Sequence, residues 1–371
     1  MPSSHHGRVA PGSLVLLCDS PTKDVSNRID PTLWATSQAR AMARLKMGNS
    51  VVVHAGPTQA RAIIDYAESF ARPVVAVGDE TNARAYAPNA RAISAEDMTL
   101  LSYDLTNVTS PIVIFGDLHQ CWRSYEDLKK AAYEKLGEGV LFVSAGDLFD
   151  KGGSTPSDVV RTAEVVMEDF ANGDLIAVKG NHDVTLCRRL TRALTGVFDP
   201  VENEIRLDTK MPHRTPRALL DAGDTLALRT MRWLQAQPLF VRASSSTVVV
   251  HAAWDPDMAS TSPSSRLFEE TCLFGPRPPK GQPRFDSTGK AVWIDWAQTY
   301  EGSDQVVHGH TGYDEPRIVG NVINVDTRCV EGNHLTGYVL GTIPDEPGSF
   351  ISVPLNERDR PLPTRSLTHV A

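Results

Sequence analysis

Short apolar runs alternate with amphipathic segments over the first hundred residues. Residues 14–18, 50–54 and 73–77 are apolar runs of strand length, whereas 33–46 and 59–70 repeat apolar positions at helical spacing. Strands that alternate with helices favour a parallel sheet covered by those helices. The sequence therefore predicts a smaller α/β domain over residues 1–108.

A second series of apolar runs begins after residue 108, and most of these runs end in a polar segment. Strands are predicted at 112–115, 139–144, 175–178, 247–250, 305–307 and 322–325, and helices at 157–172, 217–220 and 225–235. The polar segments are 116–120, 146–152, 180–183, 250–253 and 307–311. Because sites in α/β proteins form where strands end, these segments predict one site within a second domain, residues 109–371.

Composition and charge narrow the function classes. No apolar run approaches the roughly 20 residues that span a bilayer, so no membrane partner is expected. The five cysteines are scattered without a Cys-x-x-Cys pair, which argues against a disulfide framework or a thiolate zinc site and favours a cytoplasmic location. A net charge of −8 disfavours coating of long nucleic acid but permits a nucleotide, a nucleic-acid end or a phosphoprotein as partner. The oligomeric state stays open.

The polar segments are rich in side chains that bind divalent metals through oxygen or imidazole nitrogen. Seven of them are candidate ligands: Asp117, His119, Asp147, Asn181, His251, His308 and His310. Carboxylate, amide and imidazole without thiolate suit Mn²⁺ first, with Fe²⁺, Zn²⁺ or Ni²⁺ as alternatives. Seven donors exceed one tetrahedral centre and predict two ions that share a carboxylate, an arrangement that activates water for attack on a phosphoryl group.

The order of these motifs resembles that of the calcineurin-like metallophosphoesterases. Between residues 116 and 311 the chain carries Asp-x-His, Gly-Asp-x-x-Asp-Lys-Gly, Gly-Asn-His-Asp, His-Ala and Gly-His-Thr, and the resemblance spans about 112–340. It is closest to the phosphoprotein-phosphatase branch. That branch's bacterial relatives include the phosphatase module of polynucleotide kinase-phosphatases and the symmetrical dinucleoside tetraphosphate hydrolases. The resemblance implies a four-layer α/β/β/α sandwich for the second domain.

The resemblance also implies roles for single residues. It places Asp117, His119, Asp147 and His310 on one metal, and Asp147, Asn181, His251 and His308 on the other. His182 matches the general acid that protonates the leaving oxygen, and Asp150 matches the carboxylate that orients it. Lys151, where an Arg is usual, would contact phosphate as a point charge, and Asp326 matches an acidic residue near the phosphate.

Gln120 departs from the pattern because a Gly usually follows the first histidine, so its side chain is expected beside the first metal.

The first domain is similar to the second half of a polynucleotide-kinase-type P-loop domain, yet the chain has no Gly-x-x-x-x-Gly-Lys-[Ser/Thr] loop. This domain is therefore interpreted as a kinase-like remnant without kinase activity.

The predicted function is metal-dependent hydrolysis of phosphomonoesters, or of nucleotide phosphoesters and anhydrides, by a metal-activated hydroxide. A phosphorylated small molecule, a nucleotide or a nucleic-acid end would be the substrate. A protein serine/threonine phosphatase is the first alternative, and a non-catalytic nucleotide-sensing or partner-binding pseudo-phosphatase is the second. The arginines 188, 189 and 192 either guide an anionic substrate or cover a helix surface.

Overall fold

The computed structural model describes most of the second predicted domain and short parts of the first. The described residues are 14–18, 51–55, 64, 74–77, 91–93, 102–106, 108–152, 155–195, 214–261, 265–276, 294–341 and 348–360. Their strands, β1 to β15 in chain order, are Leu14–Cys18, Val51–Ala55, Val74–Val77, Arg91–Ile93, Ser102–Asp104, Ile112–Phe115, Leu141–Ser144, Leu175–Ala177, Phe240–Arg242, Thr247–Val250, Gln305–His308, Arg317–Val319, Val322–Asn324, His334–Val339 and Ser349–Pro354. Their α-helices, α1 to α7, are Trp122–Leu136, Pro156–Asn172, Asn181–Thr195, Arg214–Asp221, Asp224–Ala236, Pro256–Thr261 and Arg266–Phe274. Short 3₁₀ helices lie at Trp296–Thr299, Cys329–Glu331 and Glu357–Asp359.

The first region contains a parallel sheet of four strands in the order β2-β1-β3-β4. The three strands predicted there are present to within one residue. The helices predicted at 33–46 and 59–70 lie outside the described residues, except for Ile64, which is helical and buried. Strand β5 precedes the predicted boundary at residue 108 but pairs with β9 of the second region, so part of the second region's sheet starts before that boundary.

The second region is built on two mixed sheets. One has five strands in the order β15-β14-β6-β7-β8, in which β6, β7 and β8 are parallel. The other has six strands in the order β12-β13-β11-β10-β9-β5, in which β10, β11 and β13 are parallel. Two mixed sheets with covering helices confirm the predicted α/β class of fold.

Alternation of side chains along the central strands produces the layers. Val249 and Val307 belong to the main core, which they share with the buried strands and helices of the five-stranded sheet. Their neighbours Val248 and Val306 point to the opposite face and pack with Phe268 of α7. Because every second residue of a strand faces the same side, an all-valine run buries both faces of the six-stranded sheet.

Local sequence determines where helix α2 begins and ends. Thr155 and Asp158 form a reciprocal capping box at the start of α2, and Pro156 occupies the first turn. The helix ends at Gly173, whose left-handed backbone accommodates the C-terminal turn. Helices α4 and α5 extend the two helical pieces that were predicted between residues 184 and 246. Within the described ranges, no helix has both the length and the apolar character needed to cross a bilayer.

Candidate metal centre

The parallel strands of both sheets end at one place, and their polar segments meet there. In the five-stranded sheet, Asp117 follows β6, Asp147 follows β7 and Asn181 follows β8. In the six-stranded sheet, His251 follows β10 and His310 lies two residues beyond β11. Because parallel strands place their carboxyl ends at the same edge, residues far apart in sequence come together.

Two groups of donor atoms form this centre, and Asp147 belongs to both. Within each group the ligand atoms lie within 4.8 Å of one another, the first with Asp117 and His119 and the second with His251 and His310. His119 Nε2 lies 3.6 Å from Asp117 Oδ2 and 3.8 Å from Asp147 Oδ2. His251 Nε2 lies 3.5 Å from the other oxygen of Asp147, Oδ1. The two oxygens of one carboxylate therefore face two separate sets of donors.

Asn181 joins the second group. Its amide oxygen lies 3.0 Å from His251 Nε2 and 3.1 Å from His310 Nδ1, and these two nitrogens are 3.1 Å apart. The amide oxygen therefore faces the same point as two imidazole nitrogens. With one oxygen of Asp147, the second group offers four donors of the predicted kinds.

The structure divides the last two histidines differently from the sequence-based expectation. His310, expected in the first group, lies in the second, and His308, expected in the second, lies in neither group of the described donors. The backbone provides the reason: His310 has a left-handed φ of 68°, and its N–H donates to Asp117 Oδ1 at 2.9 Å. This turn directs the two imidazoles apart, and the His308 ring lies instead 5.2 Å from the Trp296 ring.

Hydrogen bonds hold two of the imidazoles in the orientation that a metal ligand needs. Nδ1 of His119 donates to the Phe149 carbonyl at 3.2 Å, and Nδ1 of His251 donates to the Ala145 carbonyl at 2.8 Å. Each Nε2 is then left without a proton, and its lone pair faces the carboxylates.

Burial and neighbouring charges produce an electrostatic setting that favours a cation. Burial lowers the pKa of His119 to about 3 and also lowers the pKa values of His251 and His310, so these rings are neutral at neutral pH. Burial together with the charges of Asp326 and Asp147 raises the pKa of Asp117 well above its usual range. Burial tends to raise the pKa of Asp147, but the surrounding histidines and Lys151 lower it overall. Crowded buried carboxylates with neutral imidazoles fit a divalent cation, which would relieve the repulsion.

Backbone strain is concentrated in the loops that carry these residues. Seven described residues other than glycine have a positive φ: His119, Gln120, Asp147, Asp150, Lys151, His310 and Arg328. Such conformations cost of order 1–3 kcal/mol each and persist where the surroundings impose them, often at functional sites. All seven lie in the loops that carry the donors and the Asp150–His182 pair or in the wall of the adjoining cavity, so the fold maintains this geometry against local preference.

Two glycines permit the close approach of loops around the carboxylates. A Cβ atom on Gly309 would collide with the carboxylate of Asp117, and one on Gly180 would collide with that of Asp147. Asp183 secures the loop after β8 by accepting hydrogen bonds from three backbone N–H groups, those of residues 148, 149 and 180.

His182 stands beside the centre on the first turn of α3. Its Nδ1 lies 3.1 Å from Asp150 Oδ2, and its backbone N–H donates to Asp147 Oδ1 at 2.9 Å. Burial tends to raise the pKa of Asp150, but the hydrogen bond and charge of His182, with Arg189 nearby, lower it overall. The Asp150 carboxylate is therefore ionised at neutral pH and orients the imidazole of His182.

Gln120 points away from the first donor group, and this corrects the expectation that its side chain lies beside a metal. It is fully buried, and its amide lies 2.8 Å from Oγ1 of Thr215 on α4. That hydroxyl lies 3.5 Å from Asp150 Oδ1, and a satisfied orientation of the amide also joins it to the backbone of residues 150 and 152. Gln120 and Thr215 thus connect α4 to the loop that carries the partner of His182. The sequence pattern did not reveal Thr215, since it lies 95 positions from Gln120.

A cavity of about 280 Å³ opens onto the donors. Its lining includes Asp117, His119, His310, Lys151 and Asp326, so two further predicted residues lie beside the donor groups. Lys151 Nζ lies 3.1 Å from His119 Nε2. Burial raises the pKa of Asp326 to about 6. Arg328, which the sequence analysis did not single out, also lines this cavity and pairs with Asp314 at 2.9 Å.

Comparison with known proteins identifies the family. The sequence profile of the calcineurin-like phosphoesterases matches residues 110–314. The chain belongs to this family. It is also 32% identical over 237 residues to the bis(5′-nucleosyl)-tetraphosphatase PrpE (asymmetrical) of Bacillus velezensis, a match that covers 61% of this chain and 87% of that protein. The protein of the same name from Bacillus subtilis is 30% identical and is matched over 88% of its length. A crystal structure of a metallophosphoesterase from Sphaerobacter thermophilus superimposes with a TM-score of 0.35 and 16% identity, over 66% of this chain and 89% of that one.

The family identification confirms that the chain is a hydrolase of phosphoesters that uses divalent metal ions. The donor set described above fits such ions. The comparisons give no support to the alternative of a protein serine/threonine phosphatase.

Proposed function

We propose that this chain hydrolyses dinucleoside tetraphosphates at a dinuclear metal centre. One observation carries the proposal: two donor groups share Asp147 and open onto a cavity that also holds Lys151 and Arg328. The two Bacillus relatives, which this chain matches over most of their length, are named for this substrate. A polyphosphate chain presents several anionic oxygens, and such a chain suits paired cations flanked by Lys and Arg.

Two divalent ions, with Mn²⁺ as the first candidate, would be held by the donor groups. Asp117, His119 and Asp147 would hold one ion, and Asp147, Asn181, His251 and His310 would hold the other. When bound, the ions supply the positive charge that activates a water molecule and neutralises the phosphoryl oxygens. This assignment replaces His308 with His310 on the second ion.

His182 and Asp150 would handle the proton of the leaving group. Asp150 accepts from Nδ1 of His182, and this leaves Nε2 as the atom that would carry the transferred proton. A protonated imidazole held in this way donates to the departing phosphate oxygen, and the ionised Asp150 stabilises the positive ring meanwhile. No covalent intermediate with the protein is required.

Lys151 and Arg328 would bind the phosphate chain from the cavity wall. Lys151 is a single charge on a flexible stem, whereas Arg328 offers a planar fork. Asp326 also lines the cavity and accepts from the backbone N–H of Arg328 at 3.0 Å, so it would position that arginine's backbone.

The proposal also includes the division of the chain into two domains and a cytoplasmic location. The parallel sheet β2-β1-β3-β4 supports a separate small α/β domain before the phosphoesterase domain, interpreted as a kinase-like remnant. We set the start of the second domain at or before Ser102, because β5 pairs with β9. Four cysteines, Cys121, Cys187, Cys272 and Cys329, are free thiols, in keeping with a cytoplasmic location.

The test is hydrolysis of diadenosine tetraphosphate with separated products, beside a 5′-phosphorylated oligonucleotide and a phosphothreonine peptide. We expect the dinucleotide to be hydrolysed best, in the presence of Mn²⁺. Formation of ATP with AMP would indicate asymmetrical cleavage, as in the relatives' name, and two ADP would indicate the symmetrical cleavage implied by the motif resemblance. Preference for the phosphopeptide would contradict the proposal, and inactivity on every substrate with bound metal would favour a pseudo-phosphatase.

A further inference from the structure

A second cavity lies next to the one that opens onto the donors, and three of its lining side chains, Trp296, His308 and Tyr313, are aromatic. It has a volume of about 130 Å³, and its lining includes Trp296, His308, Thr311, Tyr313, Arg317 and Val319. We call it the Trp296 cavity. Pockets for whole drug-sized ligands measure roughly 300–1,000 Å³, so a space of this size suits one ring system of a larger molecule.

The aromatic walls are held in place before any ligand arrives. Trp296 Nε1 donates to the Ala252 carbonyl at 3.0 Å, directly beside the metal-centre residue His251. Arg317 donates to the Tyr313 hydroxyl at 2.7 Å. The same guanidinium forms a two-pronged pair with Asp295 at 2.6 and 3.0 Å. A ring that enters between such walls would lose little affinity to the ordering of side chains.

The Trp296 cavity also offers hydrogen-bonding groups to a polar ring. Nδ1 of His308 donates to the Gly309 carbonyl at 3.0 Å, and this leaves Nε2 as an acceptor. The hydroxyl of Thr311 can donate or accept. An aromatic surface with acceptors beside it matches a flat heterocycle that carries an amino group.

The strand end at β11 joins this cavity to the metal centre. Thr311 lines both cavities, and His308 and His310 face one each. Asn324 fixes the loop between them by donating to the carbonyls of Gly309 at 3.3 Å and Thr311 at 3.0 Å. A molecule with phosphate at the donors and a flat ring a short distance away would fill both.

We propose that the Trp296 cavity binds one nucleobase of the substrate, stacked against the Trp296 indole. The inference rests on the proposed nucleotide substrate and adds the part of the protein that distinguishes a nucleotide from other phosphate compounds. It also gives His308, which lies outside both donor groups, a role in base binding.

The test compares adenosine 5′-monophosphate with ribose 5-phosphate, which has the same phosphate but no base. Calorimetric dissociation constants are measured on the full-length protein loaded with Mn²⁺. The wild type should bind the monophosphate about tenfold more tightly, as expected for one base stacked on one aromatic ring. Trp296→Ala should reduce this ratio to about one, and Trp296→Phe should keep most of it. Val319→Phe, which fills the cavity from β12, gives a second variant if Trp296→Ala does not fold.

Ile318→Ala is the matched control. Ile318 lies beside Val319 on strand β12, but its side chain is exposed and does not line the cavity. It should leave the ratio as in the wild type. Equal binding of both compounds by the wild type would overturn the inference, as would a ratio that survives both Trp296→Ala and Val319→Phe. Failure to hydrolyse diadenosine tetraphosphate while the ratio persists would refute the proposed substrate alone.

Discussion

The two sheets of the second region end at the same centre but bring different side chains to it. The five-stranded sheet contributes the oxygen donors Asp117, Asp147 and Asn181 and the imidazole of His119, together with His182 and its partner Asp150. The six-stranded sheet contributes the imidazoles of His251 and His310 and, beside them, the Trp296 cavity. In the proposed function, the first sheet would carry the charge and the proton transfer, and the second would complete the metal site and bind the rest of the substrate.

This difference explains which part of the site depends on close packing. On the first sheet, Gly180 and the strained loops hold the donor side chains in close contact. A substitution there would therefore disturb several donors at once. On the second sheet, a single turn at His310 decides which imidazole reaches the centre. Substitutions at the ends of the two sheets should therefore affect metal binding and hydrolysis differently.

The largest effect is expected from the residue that both donor groups share. Asp147→Asn should lower hydrolysis of p-nitrophenyl phosphate by about a thousandfold or more, because it removes the charge between the two ions. Metal content, measured after equilibrium dialysis against Mn²⁺, should fall below two ions per chain. Asp221→Asn, at an exposed position on α4, is the control and should change neither quantity. Full activity of Asp147→Asn would contradict the shared carboxylate.

The second comparison separates the two histidines at the end of β11. His310→Ala should lower activity by about a hundredfold or more and release one ion, whereas His308→Ala should keep both ions. Equilibrium dialysis measures the difference directly. Loss of an ion from His308→Ala but not from His310→Ala would restore the assignment expected from the sequence.

The third prediction concerns proton transfer on the first sheet. His182→Ala should slow hydrolysis of phenyl phosphate by about a hundredfold or more while both ions stay bound. The effect on p-nitrophenyl phosphate should be smaller, because its leaving group needs less help from an acid. Asp150→Asn should fall between the wild type and His182→Ala. An equal loss with both substrates would argue against His182 as the acid.

The smallest effect is expected from the contact between α4 and the Asp150 loop. Gln120→Ala should lower the free energy of unfolding by about 1–3 kcal/mol, because it leaves buried polar groups unsatisfied. Thr215→Val should slow hydrolysis of phenyl phosphate several-fold and that of p-nitrophenyl phosphate less, because it disturbs the residue that orients the acid, and Thr215→Ser should restore both rates. Denaturant unfolding and the two substrates together distinguish loss of position from loss of stability. No change in either variant would show that this contact does not position Asp150.

Much of this architecture could be predicted from the sequence, because each strand is a short apolar run and each ligand segment follows it directly. Asp117, Asp147 and Asn181 were placed correctly at strand ends for that reason. The sequence placed His310 on the first ion and His308 on the second, but residues two apart normally share one face of a strand, so no pattern could tell which of them reaches the donors. Only the backbone turn at His310 separates them.

The contacts of Gln120 and the walls of the Trp296 cavity also could not be predicted from the sequence. Thr215 lies on a helix of the insertion, and nothing in its local pattern marks it as a neighbour of Gln120. Trp296 reaches His308 through the packing of a short 3₁₀ helix against β11. Such contacts depend on tertiary placement rather than on periodicity.

Anomalous diffraction from crystals grown with Mn²⁺ tests the central claim most directly. The account predicts two peaks, both within about 2.0–2.3 Å of an Asp147 oxygen. His119 should ligate the first ion, and His251 with His310 the second. A single peak, or a second peak ligated by His308 in place of His310, would contradict it.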